Sequence, residues 1–306
     1  LAKTIGAGGQ GKVIQTTVPS IAIKLTIDPN TQKEIDDPDS VYAYQEQIEK
    51  IKALPIPHDI AITIPIVVLK NSMGYVMDML PDMCSWKEAF MLQRYVTPSS
   101  EWPAFYQDLL DSEDLTCLNL WVAYTKTGSA KQRFLCLYHV AVLLQELHGR
   151  GILFGDLSDN NVYINKQTLS NIWLIDADNL RFDRKKLPKG TGVYTPGFGA
   201  PELFWEPTAV HIESDCHAFA VLAFQTLTDT HPFLDGPVIT EYDGNDWENP
   251  TIPDIDQTVN AGDIPWIGDL QNLENNYTGL LERDNILSSD LHELFDKTFT
   301  DGRLEP

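Results

Sequence analysis

Three polar residues in two short segments are spaced for chemistry on a phosphate: Asp156 and Asn161 within ILFGDLSDNNVYI, residues 152 to 164, and Asp176 within WLIDADNL, residues 173 to 180. One acid orients a hydroxyl, while an amide oxygen and a second acid hold a hard cation such as magnesium. Phosphoryl transfer asks for positioning and charge neutralisation more than for covalent work by the protein. An Asp and an Asn five residues apart are unremarkable alone, so the rest of the chain must supply a nucleotide cradle. IGAGGQGKV near the start has the composition for one. Gly6, Gly8 and Gly11 fall in G-x-G-x-x-G spacing, with Ala7, Gly9 and Gln10 between them and Val13 two residues on. A lone match of this kind is as often a tight bend as a phosphate loop. The next segment decides its type: IAIKL, residues 21 to 25, alternates as a half-buried strand carrying Ala22 and Lys24. A strand after the glycines predicts a β-hairpin folded over phosphates and disfavours the helix-opening dinucleotide fold.

With Lys24 in place the chain resembles the protein-kinase family, and the motifs run in that family's order over nearly the whole length. It is similar to the eukaryotic-like (Hanks-type) Ser/Thr kinases, in a divergent bacterial or phage-like branch. The resemblance implies an α+β bilobal protein-kinase-like fold. Residues 1–79 would form a small β-rich N-lobe with one main helix, and residues 80–306 a larger, mostly helical C-lobe with inserts at 81–130 and 231–282. It further implies ATP and Mg2+ (or Mn2+) as cofactors, Asp156 as catalytic base, Asn161 and Asp176 as metal ligands, and Lys24 on the α and β phosphates, ion-paired to a helix glutamate. VYAYQEQIEKIKAL, residues 41 to 54, is the helix, with Tyr44, Ile48, Ile51 and Leu54 at helical spacing. It offers Glu49 as the favoured partner and Glu46 as the other candidate. GYVMDML, residues 74 to 80, matches the strand leading into the hinge, with Met77 as gatekeeper and Asp78 and Met79 lending backbone groups to adenine. VYTPGFGAPELF carries Ala200, Pro201 and Glu202 in the A-P-E positions, and Thr195 where Ser/Thr kinases place a threonine that reaches the catalytic acid. Ser214 is expected to cap the following helix and Asp215 to brace the catalytic loop. In the family Glu202 pairs with an arginine near the domain's C-terminus, and that partner is expected to lie beyond the end of this sequence.

The departures from the family pattern are as informative. Phe154 and Gly155 stand for the usual His-Arg, and Ser158 for the lysine near the transferred phosphate, as in RIO-type kinases, which resemble this chain in the GDLS string. With no arginine beside the base, no basic pocket is expected there for an activation-segment phosphate, and activity is expected not to need that modification. Asp176, Ala177 and Asp178 replace D-F-G, losing the aromatic; Phe154 is expected to fill part of that volume. Asp178 reads first as a solvated or capping loop acid, with a further metal- or phosphate-facing group as the other reading. These losses keep a nucleotide-binding pseudokinase as the alternative. A small-molecule phosphotransferase is third, because the A-P-E segment and the glycine loop argue against it.

Composition fits a catalytic domain: 306 residues with 43% hydrophobic content are enough for a large core. Lys and Arg number 22 against 44 Asp and Glu, a net charge of −22, which disfavours nucleic-acid binding. The opposite sign is concentrated in RFDRKKLPK, residues 181 to 189, within the activation segment. Cys84, Cys117, Cys136 and Cys216 are too scattered for a metal or disulfide framework, and buried thiols in a reducing cytoplasm are expected. No apolar run approaches membrane-spanning length and no secretory leader is visible, so no membrane insertion is expected. The first residue is Leu1 rather than Met, so the sequence is expected to be a fragment, which leaves room for flanking domains outside it. Trp247 and Trp266, in the second insert, are consistent with either packing or exposure. The expected partner is a protein substrate bearing Ser or Thr.

Overall fold

The protein is represented by a computed structural model, which describes residues 3–7, 11–28, 31, 33–90, 115–165, 167–183, 194–205, 210–238, 262–277 and 286–304. Gly8, Gly9 and Gln10, the basic run from Arg184 to Lys189, Trp247 and much of both expected inserts lie outside these residues. The fold is α+β, with antiparallel sheets and several helices.

The larger sheet has the strand order β1 (Lys3–Ala7), β2 (Gly11–Gln15), β3 (Ile21–Thr26), β5 (Gly74–Asp78), β4 (Val67–Val68). Strand β3 lies between two partners: Lys24 is opposite Val13 on β2 and Tyr75 on β5, and Ala22 is opposite Met77. Alternation along a strand puts Ala22 and Lys24 on one face, so the lysine is carried on the same side as the buried alanine. Helix α1 (Pro38–Lys52) begins where Asp37 accepts the Ser40 N–H, with a proline in its first turn, and ends in Lys50 and Lys52. Its buried stripe is Val41, Tyr44, Ile48 and Ile51, the 3-4-3 spacing of one helical face.

A second sheet orders β6 (Met83–Ser85), β8 (Val162–Asn165) and β9 (Trp173–Leu174), and β7 (Ile152–Leu153) pairs with β10 (Arg181–Phe182). Helices α2 (Trp86–Phe90), α3 (Leu115–Lys126), α4 (Ala130–His148), α5 (Glu202–Trp205), α6 (Ile212–Thr228), α7 (Ser289–Phe299) and α8 (Asp301–Leu304) complete the described elements. Helix α6 is buried along most of its length, and Phe224 on it meets Trp266, Phe295 and Phe299 edge-to-face at centroid distances of 5.2 to 6.0 Å. Trp266 is therefore a core residue, fully buried, with its indole N–H donating to Asp296 at 3.1 Å.

Arg133 on α4 is a buried cation that composition gave no hint of. Its guanidinium lies over the Tyr124 and Phe90 rings at 4.0 and 5.0 Å, and donates to the carbonyls of Thr226 and Phe90 and to the Thr127 hydroxyl. Burial pushes its pKa down to about 10. It thereby ties α2, α3, α4 and α6 together. Cys84 and Cys136 are buried as expected, whereas Cys216 is exposed. Among the described residues no helix is long and apolar enough to cross a membrane.

Candidate active site

The loop between β7 and β8 carries Asp156 and Asn161, and the β8–β9 hairpin brings Asp176 beside them. Val162 is opposite Leu174 in that hairpin, and the Ile175 N–H donates to the Asn161 carbonyl at 2.9 Å. The Asp156 carboxylate accepts from the Thr195 hydroxyl at 2.8 Å on one oxygen and from the Asn161 amide at 3.1 Å on the other. Thr195, distant in sequence, is thus where the family resemblance implied. Burial raises the Asp156 carboxyl above the ordinary aspartate range, and the bonds from Thr195 and Asn161 and the nearby Lys24 charge act against it. The Asn161 amide nitrogen also donates to the Asp156 carbonyl at 2.8 Å, leaving the amide oxygen as its ligand atom.

Lys24 reaches across from β3 to the two acids of the D-A-D string, Asp176 and Asp178. Its ammonium is ion-paired with Asp176 and donates to Asp178 at 2.8 Å. Burial presses the lysine pKa down, but Asp178 and Asp176 outweigh it and the net shift is upward. Burial likewise pushes the Asp176 carboxyl up, against Lys24. Asp176 itself has φ 67°, a left-handed conformation that a residue with a Cβ adopts only where its surroundings fix it. The 3-10 turn Ala177–Asn179 comes next and returns Asp178 to the same ammonium. Two carboxylates, Asp176 and Asp178, thus hold one lysine, and its charge also reaches Asp156.

The predicted helix partner of Lys24 is not there. Glu49 is exposed and pairs with Lys52 at 2.9 Å, and Glu46 pairs with Lys50 at 3.7 Å. At about 100° per residue both glutamates lie roughly 140–200° round α1 from Tyr44, the residue that faces the site. The Tyr44 hydroxyl donates to Asp178 at 3.2 Å, and the Gln47 amide donates to the Asp178 carbonyl at 2.8 Å. Burial, then the Asp178 charge, pushes the Tyr44 phenol well up, and the Tyr75 phenol beneath is raised for the same reasons. Asp178 is consequently a partly buried member of the site, not a solvated loop acid. Its signal in the sequence was weak: an acid two residues after a metal acid is common in loops.

A cleft of about 400 Å³ opens from these groups, lined by Val13, Ala22, Lys24, Met77, Asp78 and Asp176 among others. Gly6 and Ala7 on β1 pair with Val13 and Lys12, and Gly11 passes close over Lys24: a Cβ there would meet the lysine Cε at 3.4 Å. At the expected hinge the Met79 N–H donates to the Ser20 carbonyl at 2.9 Å, extending the sheet by one rung.

Asp215 does what the resemblance implied. Its carboxylate, 2% exposed, accepts the Phe154 and Gly155 N–H groups at 2.8 Å each and meets His148 Nε2 at 2.9 Å. Ser214 is not the cap of α6: His211 is, and Ser214, three residues on, accepts the His211 N–H and donates to Glu202 at 2.6 Å. Phe154 and Ala177 are both fully buried in the main core. Ser158 is sealed there too, its hydroxyl without a partner among the described residues. A partly buried arginine from another element does stand near the base: the Arg181 guanidinium lies 2.9 Å from where a Gly155 Cβ would stand.

No protein-family model matches the chain, and no curated protein matches it significantly. Among the described residues no group of three or more His, Cys, Asp or Glu is arranged to hold a metal by itself. Asp176 with the Asn161 amide oxygen is instead a partial set of hard oxygen ligands, the kind that magnesium completes with water and nucleotide phosphates.

Proposed function

We propose that the chain is a Mg2+-dependent protein kinase, transferring the γ-phosphate of ATP to Ser or Thr hydroxyls of a protein substrate across a two-lobed, kinase-like cleft. The observation that carries this reading is that Lys24, 152 residues away in sequence, is ion-paired with Asp176 at the cleft, while the loop before β8 holds Asp156 bonded to both Asn161 and Thr195. The donor set fits magnesium, which when bound with the nucleotide neutralises charge on the phosphates. Asn161 and Asp176 would hold it.

The chain's own residues account for the remaining work. Asp156 accepts the proton of the substrate hydroxyl as that oxygen bonds to the γ-phosphorus and the bond to the β,γ-bridging oxygen breaks, releasing ADP. Lys24 supplies a fixed positive charge to the phosphates. Thr195 and Asn161 hold the Asp156 carboxylate in one orientation. The Thr195–Asp156 bond is made by the unmodified chain, which supports transfer without prior phosphorylation of the activation segment; phosphatase treatment should leave the rate unchanged.

Incubation with labelled ATP and magnesium, with modified residues mapped, tests the reading. Asp156→Asn should lower transfer by about 10²–10⁴-fold while nucleotide binding persists. Nucleotide binding with no transfer by the wild type would favour the pseudokinase. Phosphate found on a metabolite and on no protein would favour a small-molecule phosphotransferase.

A further inference from the structure

Lys24 has two acidic partners, and their surroundings differ. Asp176 is 31% exposed at its side chain, lines the cleft and stands beside Asn161. The Asp178 side chain is 14% exposed and is held from behind by α1, through the Tyr44 hydroxyl to its carboxylate and Gln47 to its carbonyl. An acid that must ligate a cation cannot also be the sole counter-charge of a buried lysine, because whichever positive group it serves leaves the other underneutralised. We infer that Asp178, oriented by Tyr44, is the resident counter-ion of Lys24, a positioning residue that replaces the helix glutamate and releases Asp176 for the metal.

Glu46 and Glu49 are exposed on the far side of α1, each within reach of a lysine of the same helix. Helix α1 enters the site through the uncharged donors Tyr44 and Gln47, and these grip the turn after Asp176 rather than Lys24. The lysine contact therefore persists as long as the metal motif is folded, and an outward swing of α1 would remove Tyr44 and Gln47 without stripping Lys24 of its charge partner.

The role in transfer rests on the kinase reading; the ion pair does not, and the two are tested separately. A double-mutant cycle of Lys24→Met with Asp178→Asn, followed by urea unfolding without nucleotide, should show a coupling of at least tenfold in the unfolding equilibrium, about 1.4 kcal/mol. The matching cycle with Glu49→Gln should show none. On the wild type and single variants, the magnesium concentration for half-maximal binding of a fluorescent ATP analogue is then measured. Asp178→Asn should raise it tenfold or more, since Lys24 then holds Asp176 alone against the metal, while Glu49→Gln leaves it within twofold. Tyr44→Phe should produce a smaller rise in the same direction. Coupling of Lys24 to Glu49 instead of Asp178, or an Asp178→Asn protein with unchanged magnesium dependence, overturns the inference. If the wild type binds no nucleotide but the Lys24–Asp178 coupling is present, the kinase reading fails and the counter-ion assignment stands.

Discussion

Replacing Asp215 by alanine removes the carboxylate that holds the start of the loop carrying Asp156. Two main-chain N–H groups lose their acceptor: that of Phe154, on a residue with no exposure, and that of Gly155, which is partly buried. A buried donor left without a partner costs about 1–3 kcal/mol. The full figure applies at Phe154 and the lower end at Gly155, so Asp215→Ala should destabilise by about 2–4 kcal/mol. Asp215→Asn keeps one acceptor but turns an NH2 toward the other donor, and should cost roughly half as much. Urea unfolding measures the total. Hydrogen exchange locates it, because a loss of about 2 kcal/mol at the loop lowers protection of the Phe154 amide by about 30-fold. Asp156 is the next residue after Gly155, so transfer should fall as well, by about 10²-fold if the loop shifts by about 1 Å. An Asp215→Ala protein within about 0.5 kcal/mol of wild type, with the Phe154 amide still protected, would refute the bracing role.

The remaining outcomes concern Asp156, the core and Gly197. Burial raises the Asp156 carboxyl and the base must be ionised, so kcat/KM should climb with pH through a limb above the ordinary aspartate value. Thr195→Val removes a donor that favours the charged form and should move that limb to higher pH; a limb that stays in place or moves down contradicts the assignment. The same raised value means the folded chain keeps this proton longer than the unfolded chain, so Asp156 weakens the fold as pH rises through its window, and Asp156→Asn should flatten the pH dependence of stability there. Trp266→Ala should cost about 3–5 kcal/mol in urea unfolding, as expected for a fully buried indole. Gly197 has φ 81° with His231 Nε2 3.0 Å from where a Cβ would stand, so Gly197→Ala should destabilise by about 1–3 kcal/mol, read as a lower urea midpoint.

The legible parts of the chain were those where local pattern and chemistry coincide. The alternation in IAIKL set the face of Lys24, and the 3-4-3 stripe of α1 set its buried side. A glycine-rich turn leading into a strand marked the hairpin. Thr195 and Asp215 were found because the order of the motifs ties each to the loop carrying Asp156. What stayed hidden depends on distance in three dimensions. Arg133 is held by carbonyls from α2 and α6, which leave no trace in residue type. Arg181 occupies the side of Gly155 because β10 pairs with β7, a register that two-residue strands do not announce. The Met79 N–H was taken by Ser20 through one further rung of the β3–β5 ladder, beyond the alternating segment.

The misplaced glutamate and the missing aromatic of the metal motif have one physical origin. In the pattern the chain resembles, the helix supplies an acid to the lysine and the motif supplies an aromatic to the core. Here the helix supplies the aromatic, Tyr44, and the motif supplies the acid, Asp178. Either change alone would be costly, because an acid at position 178 with another on the helix would crowd carboxylates about Lys24, and an aromatic at both places would leave the buried ammonium with Asp176 as its only counter-charge. Ala177, fully buried between the two acids, is small enough for the turn to bring both carboxylates to one side. The left-handed conformation of Asp176 is what aims the chain into that turn, so the D-A-D string preserves the charge balance of the site by moving the acid from the helix to the motif.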